Sequence, residues 1–180
     1  MVTDPDRHGA PRVPPLPEAE WNETLKVVAA TVGPLNIFTT LGRHRELFDS
    51  WLGFGSMLLL KGTLTGRVRE LAILRTAHLA SCEYEWAHHH RIGLDAGLAE
   101  AEIAALRLGL DEHPWDAADR AVLTAVDELH ADGTLGDRTW AALAGRLGEN
   151  ELIELVVLIG HYHMLAFALN ALRVRPDAGH

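Results

Sequence analysis

From Glu18 onward, apolar residues recur at intervals of three and four almost throughout the chain, the spacing that lays them along one side of an α-helix. Trp21, Leu25, Val28, Ala29 and Val32 fit this rhythm, and Gly33-Pro34 ends it. A short helix over Asn36–Leu41 and a longer one over Arg45–Leu60 follow; Leu47, Trp51, Phe54 and Leu58 form the apolar stripe of the latter, a core or oligomer surface. After the loop "KGTLTG" come helices at Gly66–Leu79 and Cys82–Ala96, broken near Ser81, with Gly97 as C-terminal cap. The spacing predicts further helices over Ala99–Leu108, from a cap at Asp116 to about His130, from a cap at Asp137 to about Leu147, and over Glu149–Leu172. Strand alternation is nearly absent. The expected fold is an all-α bundle of about seven to nine helices in one domain, residues 18–175. Five of the eight prolines precede residue 18. Proline removes a backbone donor, so residues 1–17 are expected to be a flexible, extended arm, and 176–180 a polar tail.

Composition narrows the class. With 48% hydrophobic and 23% charged residues the chain reads as globular. Its formal charge of −9, from 25 acids against 16 bases with no basic run, excludes phosphate-backbone binding, so no nucleic acid partner is expected. The single cysteine cannot form an intrachain disulfide, and the proline-rich start lacks the apolar core of a secretory signal; a cytoplasmic location is expected. The most apolar runs, Trp51–Leu60 and Leu155–Ala168, fall short of the roughly 20 residues of a membrane span, so none is predicted.

Chemistry concentrates in "SCEYEWAHHH", Ser81–His90. On a helix Cys82, Glu85 and His89 stand at i, i+3 and i+7, one face, which Trp86 and Gly93 continue. Burying such groups unpaired is costly, so mutual hydrogen bonding is expected. A first-turn position favours the thiolate of Cys82. One helix earlier, Glu70 shares a face with Leu74 and Ala77, and a carboxyl on an apolar surface is suited to proton exchange near neutrality. A tight corner can bring Glu70 to the Cys82–Glu85–His89 face. His88 and His90 project elsewhere. Glu85-x-x-His88 has the spacing of half a carboxylate-bridged di-iron site, but no second Glu-x-x-His exists, so no metal is predicted. His161 and His163 lie in the apolar last helix with core roles expected; His163 is the one favoured to reach a pocket. Arg75 suits either a substrate carboxylate or an ion pair.

The segment "RVRELAILRTAHLASCEYEWAHHHRIGLDAGLAEAEIAAL" resembles the carboxymuconolactone decarboxylase family, whose relatives include the alkyl-hydroperoxidase D proteins. The likeness is strongest over residues 64–108, with flanking similarity in "NIFTTLGRH" and "GHYHMLAFALNALRVRP". The resemblance implies an alkyl-hydroperoxidase D-like helical bundle assembled as a dimer, trimer or hexamer, with its site near a subunit boundary. The peroxidase branch carries Glu, eleven residues, Cys-x-x-Cys, three residues and His; Glu70, Cys82 and His89 match, and Glu85 stands in place of the second cysteine. Cys82 therefore has no internal partner to resolve it as a disulfide. The "EYEW" run is more like the decarboxylase branch, which implies a cofactor-independent lyase acting on a small unsaturated lactone acid. His89 would then be the proton donor, Glu70 would hold its tautomer, Glu85 would be a second acid–base group, and Cys82 a pocket wall. Tyr84, Trp86 and His163 are the candidates to touch substrate. A thiol peroxidase using Cys82 is the alternative, and a non-catalytic small-molecule-binding oligomer the third reading.

Overall fold

The computed structural model describes residues 9–177, which form nine α-helices; among these residues there is no strand. The helices are α1 (Glu23–Val32), α2 (Asn36–Leu41), α3 (Arg45–Leu60), α4 (Gly66–Leu79), α5 (Glu83–Asp95), α6 (Glu100–Ala105), α7 (Ala117–Asp132), α8 (Asp137–Ala144) and α9 (Glu149–Leu172). The caps follow local chemistry: the side chains of Asn22, Thr65 and Asp116 accept from the first free N–H groups of α1, α4 and α7. Asp137, expected as a cap, is instead the first residue of α8; Glu128 of α7 accepts the Gly136 N–H at 2.9 Å and takes over that role.

Helix α4 is the axis of the fold. It packs against α5, α7 and α9, and the eight consecutive residues from Glu70 to Ala77 are all buried. A helix enclosed on every side must bury its charged positions too, and Glu70 and Arg75 are both paired. Arg75 forks onto Asp127 at 2.7 and 2.8 Å and donates to the carbonyls of Leu106 and Leu108. The Arg75 guanidinium is thus a structural clamp. Gly93 of α5 lets α5 lie close to α4, since a Cβ there would stand 3.1 Å from Leu74 and 3.2 Å from Leu98.

A smaller apolar cluster joins α2, the start of α5 and the C-terminal half of α9 through Ile37, Cys82, Tyr84, Leu165, Ala166, Leu169 and Val174. Both described chain ends are fastened here. Within the expected arm, Arg12 N–H donates to Leu172 O at 3.0 Å, Leu16 N–H to Thr39 O at 2.8 Å, and Arg43 reaches the carbonyls of Pro14 and Pro15. A chain without regular structure gains order once its backbone groups find partners, and the prolines leave few donors to satisfy. Residues 1–8 and 178–180 of the expected arm and tail lie outside the described residues.

Asp177, expected in the polar tail, is a half-buried hub. Its Oδ1 accepts from the Asn36 N–H at 2.8 Å, and its Oδ2 accepts from the Tyr84 hydroxyl at 2.6 Å and faces His88 Nε2 at 3.0 Å. Burial first, and then this bond to Asp177, hold the Tyr84 hydroxyl far above the usual phenol range. Replacing Asp177 by Ala strands the Tyr84 hydroxyl and the first N–H of α2; chemical denaturation is expected to show a loss of about 1–3 kcal/mol.

Candidate functional site

The corner between α4 and α5 creates the site. Ala80 keeps α-helical dihedrals, Ser81 takes the left-handed conformation at φ 51°, and Cys82 is extended at φ −100°, ψ 91°. The Ser81 N–H bonds to His78 O and the Cys82 N–H to Ala77 O, the paired pattern of a Schellman closure. Glycine is the usual residue at the left-handed position; a serine there costs about 1–2 kcal/mol, which the surrounding bonds sustain. One is the Asn170 side-chain amide of α9, donating to Ala80 O at 2.9 Å.

Across this corner a buried carboxylate meets an imidazole. Glu70 is fully enclosed; its Oε1 accepts from Arg69 Nε at 2.8 Å, and its Oε2 lies 2.7 Å from His89 Nδ1. The second nitrogen of His89, Nε2, faces Glu85 Oε2 at 3.4 Å. Glu70, His89 and Glu85 therefore form one chain of groups, all buried, from α4 to α5. Burial pushes the His89 imidazole down, but the hydrogen bond and charge of Glu70, followed by the charge of Glu85, outweigh it and raise its pKa. Burial pushes the Glu85 carboxyl up to about 7, His89 opposing and Glu70 reinforcing the shift. The edge of the Tyr162 ring stands against the His89 ring, centroids 5.1 Å apart.

The Glu85–His89 end opens on a cavity of about 360 Å³. Tyr84, Glu85, His88, His89 and Ile92 of α5 line one side, and His161, Tyr162 and Leu165 of α9 lie beside them. The remaining wall is apolar, from α1 (Val27, Val28), α2 (Ile37, Phe38) and α3 (Trp51, Leu52, Leu59).

Cys82 does not join this constellation. The helix wheel placed it beside Glu85 and His89, but Cys82 precedes the first residue of α5, so the extended corner sends its side chain into the cluster of Ile37, Leu165 and Leu169. It is 1% exposed and is not among the cavity-lining residues. Burial, then the charge of Glu85, push its thiol up to about 12, so the lowered thiol pKa expected from the first-turn position is not found.

Of the expected substrate contacts, Tyr84 lines the cavity, although its hydroxyl is engaged with Asp177. Trp86 packs against the main core with the Arg107 guanidinium 3.9 Å over its ring. His163 faces away from the cavity and pairs with His130 at 2.9 Å. The cavity histidine of α9 is His161, two residues earlier and on the opposite side of that helix, stacked on Trp51 at 6.4 Å. Burial holds its imidazole below the usual range. His88, expected on another face, also lines the cavity, whereas His90 pairs with Glu100 at the surface. Among the described residues no group of three or more His, Cys, Asp or Glu side chains is placed to hold a metal ion.

With this geometry in view, known proteins can be set beside the chain. Residues 45–128 match the model of the carboxymuconolactone decarboxylase family. A peroxidase-related alkylhydroperoxidase AhpD core protein from Ralstonia eutropha has the same fold, with a TM-score of 0.79 and 18% identity over 91% of each chain. A peroxidase-related protein from Silicibacter gives 0.77 at 15% identity, covering 99% of this chain and 96% of that one. The debrominase Bmp8, as a cysteine-to-alanine variant with 2,3,4-tribromopyrrole, gives 0.76 at 16% identity, covering 92% and 91%. No curated protein sequence matches. The chain has the all-α fold of these AhpD-like structures, and its central helices carry the match to the carboxymuconolactone decarboxylase family model.

The raised pKa of Glu85 predicts how stability varies with pH. An acid whose folded-state pKa exceeds its unfolded one stabilises the fold below the unfolded value and loses that contribution as pH rises through the folded value, here from about 4.5 to about 7. The raised His89 acts in the same direction. Urea unfolding of the wild type is expected to show lower stability at pH 8 than at pH 5. Glu85→Gln should flatten that slope by on the order of 2 kcal/mol.

Proposed function

We propose that this protein is a cofactor-independent acid–base enzyme acting on a small unsaturated carbonyl compound. The observation that carries the reading is the buried Glu70–His89–Glu85 chain, whose last two members line a largely apolar cavity. Glu70 accepts the Nδ1 proton of His89 and so directs the Nε2 lone pair toward Glu85 and the cavity. A pair that exchanges a proton near neutral pH suits general acid–base catalysis. One member takes a proton from the carbon γ to the carbonyl as that C–H electron pair moves into a dienolate. The protonated member then returns a proton to the α-carbon, with no net change in charge. Loss of CO₂ from a lactone acid would generate the same dienolate by breaking a C–C bond and need the same proton delivery.

The thiol peroxidase reading draws less support, because a buried thiol with a raised pKa supplies little thiolate. Wild-type protein in D₂O is expected to wash deuterium into the γ-position of 2-cyclohexenone, followed by NMR. His89→Ala should lower that rate about 100-fold or more, and Cys82→Ser should leave it nearly unchanged. Equal loss in both variants, with dimedone labelling of Cys82 after peroxide, would replace this reading with the thiol one.

The proposal includes a homo-oligomer. Helix α9, at 24 residues, is long and apolar enough to cross a membrane by length and composition, yet half of its most apolar window is buried in the fold. Its other side presents Ile153, Val157, Met164 and Phe167 to solvent, and α3 exposes Phe54, Met57 and Leu60. Exposed apolar side chains along a helix face call for a cover, and a second copy of the chain supplies one of the same character. Val157→Glu combined with Phe167→Glu is expected to shift the mass measured by light scattering to that of the single chain.

A further inference from the structure

We propose that the cavity selects an uncharged, largely apolar molecule and rejects carboxylates; this rests on the acid–base reading and narrows its chemistry to proton transfer, away from CO₂ loss. The first argument is the wall itself. Among the lining residues there is no lysine or arginine, and the single acid is Glu85. A carboxylate brought into this space would leave water without gaining a cation, and would stand beside a carboxyl able to carry the same charge.

The three arginines of α4 are already committed. Arg69 donates to Glu70, Arg67 to Glu102 and Asp119, and Arg75 to Asp127. His89 is no exception: Glu70 holds one of its nitrogens and Glu85 faces the other, so an incoming anion meets an imidazole flanked by two carboxyl groups. The formal charge of −9 on the whole chain adds a field that opposes anions at longer range.

The second argument concerns what the wall offers instead. Among the described residues five buried side-chain polar atoms have no hydrogen-bond partner, and three belong to cavity-lining residues: Trp51 Nε1, Glu85 Oε1 and His161 Nδ1. Unspent donor and acceptor capacity concentrated in one wall fits a neutral molecule with a single polar group, such as a ketone, aldehyde or ester. The volume of about 360 Å³ is at the small end of ligand sites, about 300–1,000 Å³, and suits a small cyclic compound.

The test compares two probes that share a ring and a conjugated double bond and differ in charge: methyl cinnamate and cinnamate. Isothermal titration calorimetry of the full chain at pH 8 is expected to give a dissociation constant for the ester at least about tenfold below that of the acid. Gly55→Leu localises the binding. A Cβ at Gly55 would meet His161 at 3.5 Å and Trp51 at 3.9 Å, ordinary contacts, so the side chain grows into the cavity without displacing the backbone. This variant should keep its circular dichroism spectrum and melting temperature and lose ester binding about tenfold or more.

Equal or tighter binding of the acid overturns the proposal, as does unchanged ester binding in Gly55→Leu, or no binding of either probe up to about 1 mM. Because binding is read without turnover, the two readings fail separately. Ester selectivity with deuterium exchange that survives His89→Ala removes the acid–base chemistry and leaves the charge rule. Exchange that depends on His89 alongside tight binding of the acid does the reverse.

Discussion

The hydrogen bond between Glu70 and His89, 2.7 Å long and shielded from water, is the constraint around which the site is arranged. A carboxylate at the centre of a helix enclosed on all sides needs charged or strongly polar partners, and only Arg69 and His89 are placed to supply them. That requirement fixes the rotation of α5 about its axis relative to α4. Once α5 is set, Glu85 and His88 fall on the cavity side, and the approach at Gly93 closes the packing behind them. The same contact orders the imidazole and ties the two central helices together, so its chemical and architectural roles are inseparable.

Much of this was legible in the residue order. Helical periodicity located the helices to within about three residues, because most carry an apolar stripe and several a cap with a local cause, as with Asn22 and Asp116. The pairing of Glu70 with His89 was visible because both sit well inside regular helices, where spacing defines a face. Cys82 was misplaced for the opposite reason. It lies in the corner, where one left-handed residue redirects the backbone and helical angles no longer apply. The break near Ser81 was expected, but a serine in place of the usual glycine gave no sign that Cys82 would fall outside α5.

The α9 histidines show another limit. The helix is apolar all round, so periodicity does not distinguish its cavity side from its outer side, and His163 stood out no less than His161. What separates them is the position of α3: Trp51 and Phe54 flank His161. Asp177 and the backbone bonds of Arg12 and Leu16 were hidden as well, since hydrogen bonds spanning more than a hundred residues, or made by irregular chain, leave no periodic trace. The family-model match, residues 45–128, falls on the central helices, where spacing was informative.

The two halves of the cavity are built with unequal rigidity. Its polar end comes from α5 and α9, pressed against the enclosed α4, whereas its apolar wall comes largely from α1 and α3, whose Val27, Val32 and Leu60 remain well exposed. Substitutions in a well-packed interior are felt throughout it, while half-exposed positions tolerate changes of size and shape. Change in this scaffold therefore has an easy direction: new molecules can be accommodated by remodelling the outer helices while the Glu70–His89–Glu85 chain stays untouched.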